Sequence, residues 1–136
     1  MLVDRFGRDG YNRWLDSLGV QYLHLLRPTS NWTSVCTRDL AIIWNEIYSY
    51  YQTGTLTAKT MFNYFLNAQY NYLKVLLPGY QIAHKSGWTQ TTFNDAGIVL
   101  EHSEGPYLIA ILTSDREGNI LCPLAKYLDE IMVDYF

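Results

Sequence analysis

Residues 80–113 leave the chain little choice of fold. Three short runs, Tyr80–Ser86, Phe93–Glu101 and Tyr107–Thr113, have strand character and are separated by turn residues. Pro78-Gly79 launches the first run, and Thr89 to Thr92 connects it to the second. Ser103-Glu104-Gly105 forms a tight hairpin loop before the third. Strands joined in this way make a three-stranded antiparallel meander. The third run is apolar at successive positions, so both of its faces are expected to be covered. Helical patterns precede and follow the strands, which makes the class α+β.

The strongest of those helices carries Leu40, Ile43, Trp44, Ile47, Tyr48 and Tyr51 at helical spacing. Ser34 or Thr37 caps its start, and Gly54 lies past its end. Its aromatic stripe reads as core packing rather than a ligand groove. Thr57 opens the next helix, with Met61, Phe62, Phe65 and Leu66 inward and Leu56 stapling the entry. Asn67 to Leu77 carries a weaker pattern, consistent with a further helical turn. Earlier, Met1 to Phe6 reads as the end of a helix closed by Gly7. Asp9 caps a short helix through Leu18, with Tyr11, Trp14, Leu15 and Leu18 on one face. Gln21 to Thr33 is loop, with Arg27-Pro28-Thr29-Ser30-Asn31 as its turn chemistry. Asp115 to Asn119 is a turn, and Leu121 to Tyr135 is the closing helix, with Pro123 in its first turn. Leu121, Leu124, Leu128, Ile131, Met132 and Tyr135 form its buried stripe.

At 136 residues, the chain is one domain or less, 1–136 as a single unit. A net charge of −3 supplies no basic field for nucleic acid. The longest apolar run, Tyr107 to Leu112, is too short to span a membrane, and Met1 to Phe6 lacks the apolar core of an export signal. No His or Cys cluster has metal-ligand spacing, so no metal or other cofactor is expected. Cys36 and Cys122 are either two small buried thiols or a disulfide, should the fold bring them together.

One stretch carries chemistry: His84-Lys85-Ser86-Gly87-Trp88-Thr89. Lys85 supplies a cation and Ser86 a hydroxyl, and together they can hold a carboxylate. Gly87 lets a bound molecule approach the strand, and the Trp88 N–H could point at an oxyanion. His84 alternates with Lys85 and so faces away from any pocket that Lys85 faces. His24, His102, Glu101, Glu104 and Asp95 have no assignable role, and Asp95 reads as a surface or edge residue of the second strand.

With Asn94-Asp95-Ala96-Gly97-Ile98-Val99-Leu100 and the third strand behind it, this stretch resembles the C-terminal end of the serine β-lactamase and penicillin-binding-protein family, closest to its class A branch. That family carries K-T-G or K-S-G on a strand lining its active site. The resemblance takes in nearly the whole chain, including Thr37-Arg38-Asp39-Leu40-Ala41 and the helices around it. It implies substrate-binding roles for Lys85, Ser86, Gly87 and the Trp88 backbone, toward a β-lactam or peptidoglycan-like carboxylate ligand.

The departures are equally informative. The family acylates a serine within S-x-x-K. None of Ser17, Ser30, Ser34, Ser49, Ser86, Ser103 and Ser114 has Lys three positions later, and no S-x-N or Y-x-N triplet occurs. Gln21 to Thr33 contains no glutamate, so the E-x-x-L-N deacylation base is missing too. No residue of this chain is therefore expected to be catalytic. The resemblance implies a partial fold lacking the N-terminal strands and nucleophile helix. The edge of Tyr107–Thr113 would then be open to a missing N-terminal segment or to a second copy. Two functions stay open: the C-terminal fragment of a serine hydrolase, inactive alone, or a non-catalytic module binding a carboxylate ligand or itself. The parent family works outside the cell or in its envelope, and no export signal is read in this chain.

Overall fold

A computed structural model describes residues 2–25, 33–69, 72–114 and 120–135. The turn expected at 115–119 and the turn chemistry of 27–31 lie outside the described residues. The chain divides into two compact units, Met1–Ile43 and Trp44–Phe136.

In the first unit, α1 (Leu2–Ser17) is broken at Gly7, whose φ of 69° and ψ of 164° no helix accommodates. The expected stop at Gly7 is present, but the helix resumes directly after it, so Asp9 lies inside the helix rather than capping it. Leu15 of α1 is fully buried, whereas Trp14, expected on the same face, is exposed. The segment after α1 is held by side chains rather than by a sheet. Asn12 Oδ1 accepts the Leu25 N–H at 2.9 Å, and His24 Nε2 meets Asp16 at 2.8 Å. The buried Asp39 carboxylate accepts three backbone N–H groups, from Gln21 at 3.0 Å, Tyr22 at 2.7 Å and Leu23 at 3.0 Å. Burial pushes the Asp39 pKa up, but these hydrogen bonds outweigh it and leave the carboxyl below its ordinary value. Asp39 also sits in the first turn of α2 (Thr37–Gln52), where an acid suits the helix dipole.

The rest of α2 belongs to the second unit. There Trp44 meets Phe65 edge-on at 5.0 Å, and Tyr51 stacks on Phe62 at 4.0 Å. The aromatic stripe is packing, as its spacing indicates. α3 (Leu56–Leu66) starts earlier than Thr57 suggests, because Thr55 caps it by accepting the Ala58 N–H. α4 is a short helix, Tyr72–Leu76.

Strands β1 (Ile82–Trp88), β2 (Phe93–Val99) and β3 (Tyr107–Thr113) form the expected antiparallel meander in the order β1-β2-β3. β1 starts two positions later than Tyr80, since the Tyr80 N–H still closes a turn onto the Leu77 carbonyl. The register pairs Lys85 with Ala96 and Ala96 with Ala110. Strand alternation then places Ile82, His84, Ser86, Asp95, Gly97, Val99, Tyr107, Ile109 and Ile111 on one face. The apolar members of that face join Leu73 and Leu77 near α4 and Leu121 and Ala125 of α5 (Leu121–Tyr135) in one core cluster. α3 packs against β1.

The expectation that β3 is covered on both faces is corrected here. Leu108 is exposed and Ala110 and Leu112 are half-buried, so that face of β3 is only partly covered. The doubly buried strand is the central one, β2. Tyr135, expected in the α5 stripe, is exposed. Cys36 and Cys122 are both free thiols. Among the described residues no helix is long and apolar enough to cross a membrane.

Candidate ligand-binding site

The chemistry-bearing stretch forms the outer strand β1, beside the C-terminal end of α3. Between them lies a cleft of about 350 Å3, lined by Tyr64, Phe65, Ala68, Gln69, Lys85 and Ser86. Its wall is mainly apolar, from the end of α3 and the residues just after it, with an ammonium on the strand side. Lys85 is exposed, and its Nζ donates to the Ser86 carbonyl at 2.5 Å. Among the described residues no carboxylate forms a salt bridge with Lys85. A cation held by one backbone carbonyl keeps donors for an incoming anion.

Of the four residues singled out from the sequence, the cleft brings Lys85 and Ser86 together. Ser86 is only 4% exposed, and alternation puts its side chain on the His84 face, across from Asp95. Gly87 pairs with Asn94, and a Cβ placed on it would meet nothing within 4 Å, so a ligand has room there. Trp88 closes the strand opposite Phe93, with its side chain half exposed.

His84 does face away from Lys85, but it is not idle. Its Nδ1 lies 3.0 Å and 3.1 Å from the two Asp95 carboxylate oxygens, with both side chains fully buried. The surface or edge placement expected for Asp95 is thus corrected. A strand acid can be buried when a partner and a backbone donor satisfy it. Here the donor is the Leu73 N–H, at 3.3 Å. The only local signal was parity: Asp95 shares its face with Gly97 and Val99. His102 has partners that spacing could not show. Its ring lies among Tyr80, Tyr107 and Asp129, and its Nδ1 accepts the Glu104 N–H.

The cleft can bind an anion beside an apolar group. It holds no S-x-x-K nucleophile, and no group of three His, Cys, Asp or Glu residues that could hold a metal occurs among the described residues.

The model of the beta-lactamase enzyme family matches residues 1–127. The fold is similar to a solved mutant of PBP-A, an acyl-enzyme complex with penicillin G, at TM-score 0.74 and 21% identity. That match covers 98% of this chain and 53% of the other. It is also similar to a β-lactamase from Sphaerobacter thermophilus, at TM-score 0.73 and 18% identity, covering 97% and 55%. TLA-3 extended-spectrum β-lactamase gives TM-score 0.71 and 19% identity, covering 94% and 56%. The chain thus spans about half the length of the solved structures it matches. None of the curated proteins matches the sequence.

Proposed function

The chain belongs to the β-lactamase enzyme family, and from that premise we propose that it is the C-terminal portion of a serine hydrolase acting on β-lactams or peptidoglycan-type peptides. Lys85 supplies the positive field for the substrate carboxylate and Gly87 the room for close approach, while Ser86, whose side chain lies on the buried His84 face, lines the cleft where the resemblance would have its hydroxyl bind. The Trp88 N–H serves the oxyanion. The acylated serine comes from a segment outside these residues, so this chain alone binds and does not react. The observation that carries the reading is the cleft itself, in which Lys85 and Ser86 meet an apolar wall from the end of α3 and the residues just after it.

A second reading is a non-catalytic module of the same descent. It is favoured by the absence of any Lys three positions after a serine. In both readings a further strand, from a missing N-terminal segment or a second copy, would pair with β3, which is terminal in the strand order among the described residues. The family's substrates place the parent protein in the envelope or outside the cell.

A titration of isotopically labelled protein with benzylpenicillin tests the site. Reversible shifts at Lys85 and Ser86, lost in Lys85→Ala, are the expected result. Shifts confined to other faces of the molecule, or unchanged in Lys85→Ala, contradict the assignment. Size-exclusion mass measurement separates a monomer from a self-associated module.

A further inference from the structure

We propose that the buried His84–Asp95 pair, seated over Gly97, is a positioning device that fixes the register of β1 and thereby presents Lys85 to the cleft. The proposal rests on the reading of Lys85 and Ser86 as ligand-binding residues, and it adds how the fold holds them in place.

The geometry is that of a latch. His84 does not stand opposite Asp95; the register puts His84 across from Gly97 and Ser86 across from Asp95. The pair is therefore a diagonal contact on one face, and this register closes it while keeping His84 over Gly97. Gly97 provides the seat. A Cβ there would lie 2.3 Å from the Ala83 carbonyl oxygen and 2.8 Å from the His84 Cα and Cβ. Those are backbone or near-backbone atoms, so any larger residue forces β1 away from β2. Asp95 is in turn fixed by the Leu73 N–H of α4, which ties the latch to the core on that face.

The alternatives to this register are poor ones. A slip of one residue would turn Lys85 into the dry face and His84 out toward α3. An ammonium would then be buried where imidazole now sits, and Asp95 would lose its partner. A slip of two keeps the faces but brings His84 opposite Asp95 or Val99, both of which carry side chains where Gly97 has none. β1 needs such a device. Among the described residues it ends the strand order, so one neighbouring strand fixes its register, and its last residues are exposed.

Cross-strand nuclear Overhauser contacts in the full chain read the register without any ligand. The Lys85–Ala96 contact reports β1 against β2, and the Ala96–Ala110 contact, between β2 and β3, is the internal reference. In His84→Phe, which keeps a ring and removes the pair, the first contact is expected to fall at least about twofold relative to the second. The reversed pair, His84→Asp with Asp95→His, is expected to restore part of it. Asp95→Asn keeps the shape and weakens the latch, and it serves if His84→Phe does not fold. A role in bulk stability alone would lower the melting temperature and leave the contact ratio of the folded protein unchanged, and that result overturns the proposal. A wild-type chain with the Lys85–Ala96 contact intact but no response to benzylpenicillin would overturn the ligand reading and leave the latch standing.

Discussion

Lys85 and Asp39 mark two opposite uses of charge in this chain. Lys85 is exposed and touches its own strand, so its removal should matter to binding and little to folding. Lys85→Ala is expected to change stability by no more than about 0.5 kcal/mol while abolishing the benzylpenicillin response. Thermal melts beside the titration check both. Asp39 does the reverse work. It holds three N–H groups of a segment that has no sheet to pair with. Asp39→Ala is expected to cost roughly 2–3 kcal/mol in denaturant unfolding. Its pKa is depressed from the ordinary 3.8, so the unfolded chain takes up the proton first as pH falls. The Asp39 contribution is complete above that ordinary value and is lost as pH drops through the lower folded one. Tyr107 runs the other way. Burial, then its hydrogen bond to Asp129 at 2.5 Å, raises its pKa far above the ordinary 10.0. Stability from this phenol is whole below that value and declines as alkali ionises the unfolded chain first. Tyr107→Phe is expected to flatten the alkaline limb of a pH–stability curve.

At the scale of elements, legibility follows how local the cause is. The meander could be read because Pro78-Gly79, Thr89–Thr92 and Ser103-Glu104-Gly105 are turn chemistry written within a few residues. α2 could be read because its stripe repeats over three turns. Lys85 and Ser86 were legible as a candidate site because a cation, a hydroxyl and a glycine stand in sequence. The Asp95 burial was not legible, since the imidazole that satisfies it lies eleven positions away across a strand pair. Nor was the partial exposure of β3, which depends on what packs over its face and not on its own residues. The α3 start lies earlier than Thr57 because Thr55 makes the capping hydrogen bond to the Ala58 N–H. Thr55→Ala is expected to cost about 1 kcal/mol, whereas Thr57→Ala should be near neutral, as read by denaturant midpoints.

For the whole molecule, the decisive facts are a family match over most of the chain and a length near half that of the solved relatives. The strand, the cleft and the latch that holds them are all within these residues, while no serine stands three positions before a lysine. A wall of a pocket can recognise a carboxylate without the group that attacks a carbonyl, because recognition and bond-making draw on different residues. The most direct measurement is the intact mass of this chain after incubation with benzylpenicillin. No covalent gain in mass is predicted, and a stable adduct of one ring-opened penicillin on the chain alone would contradict the account.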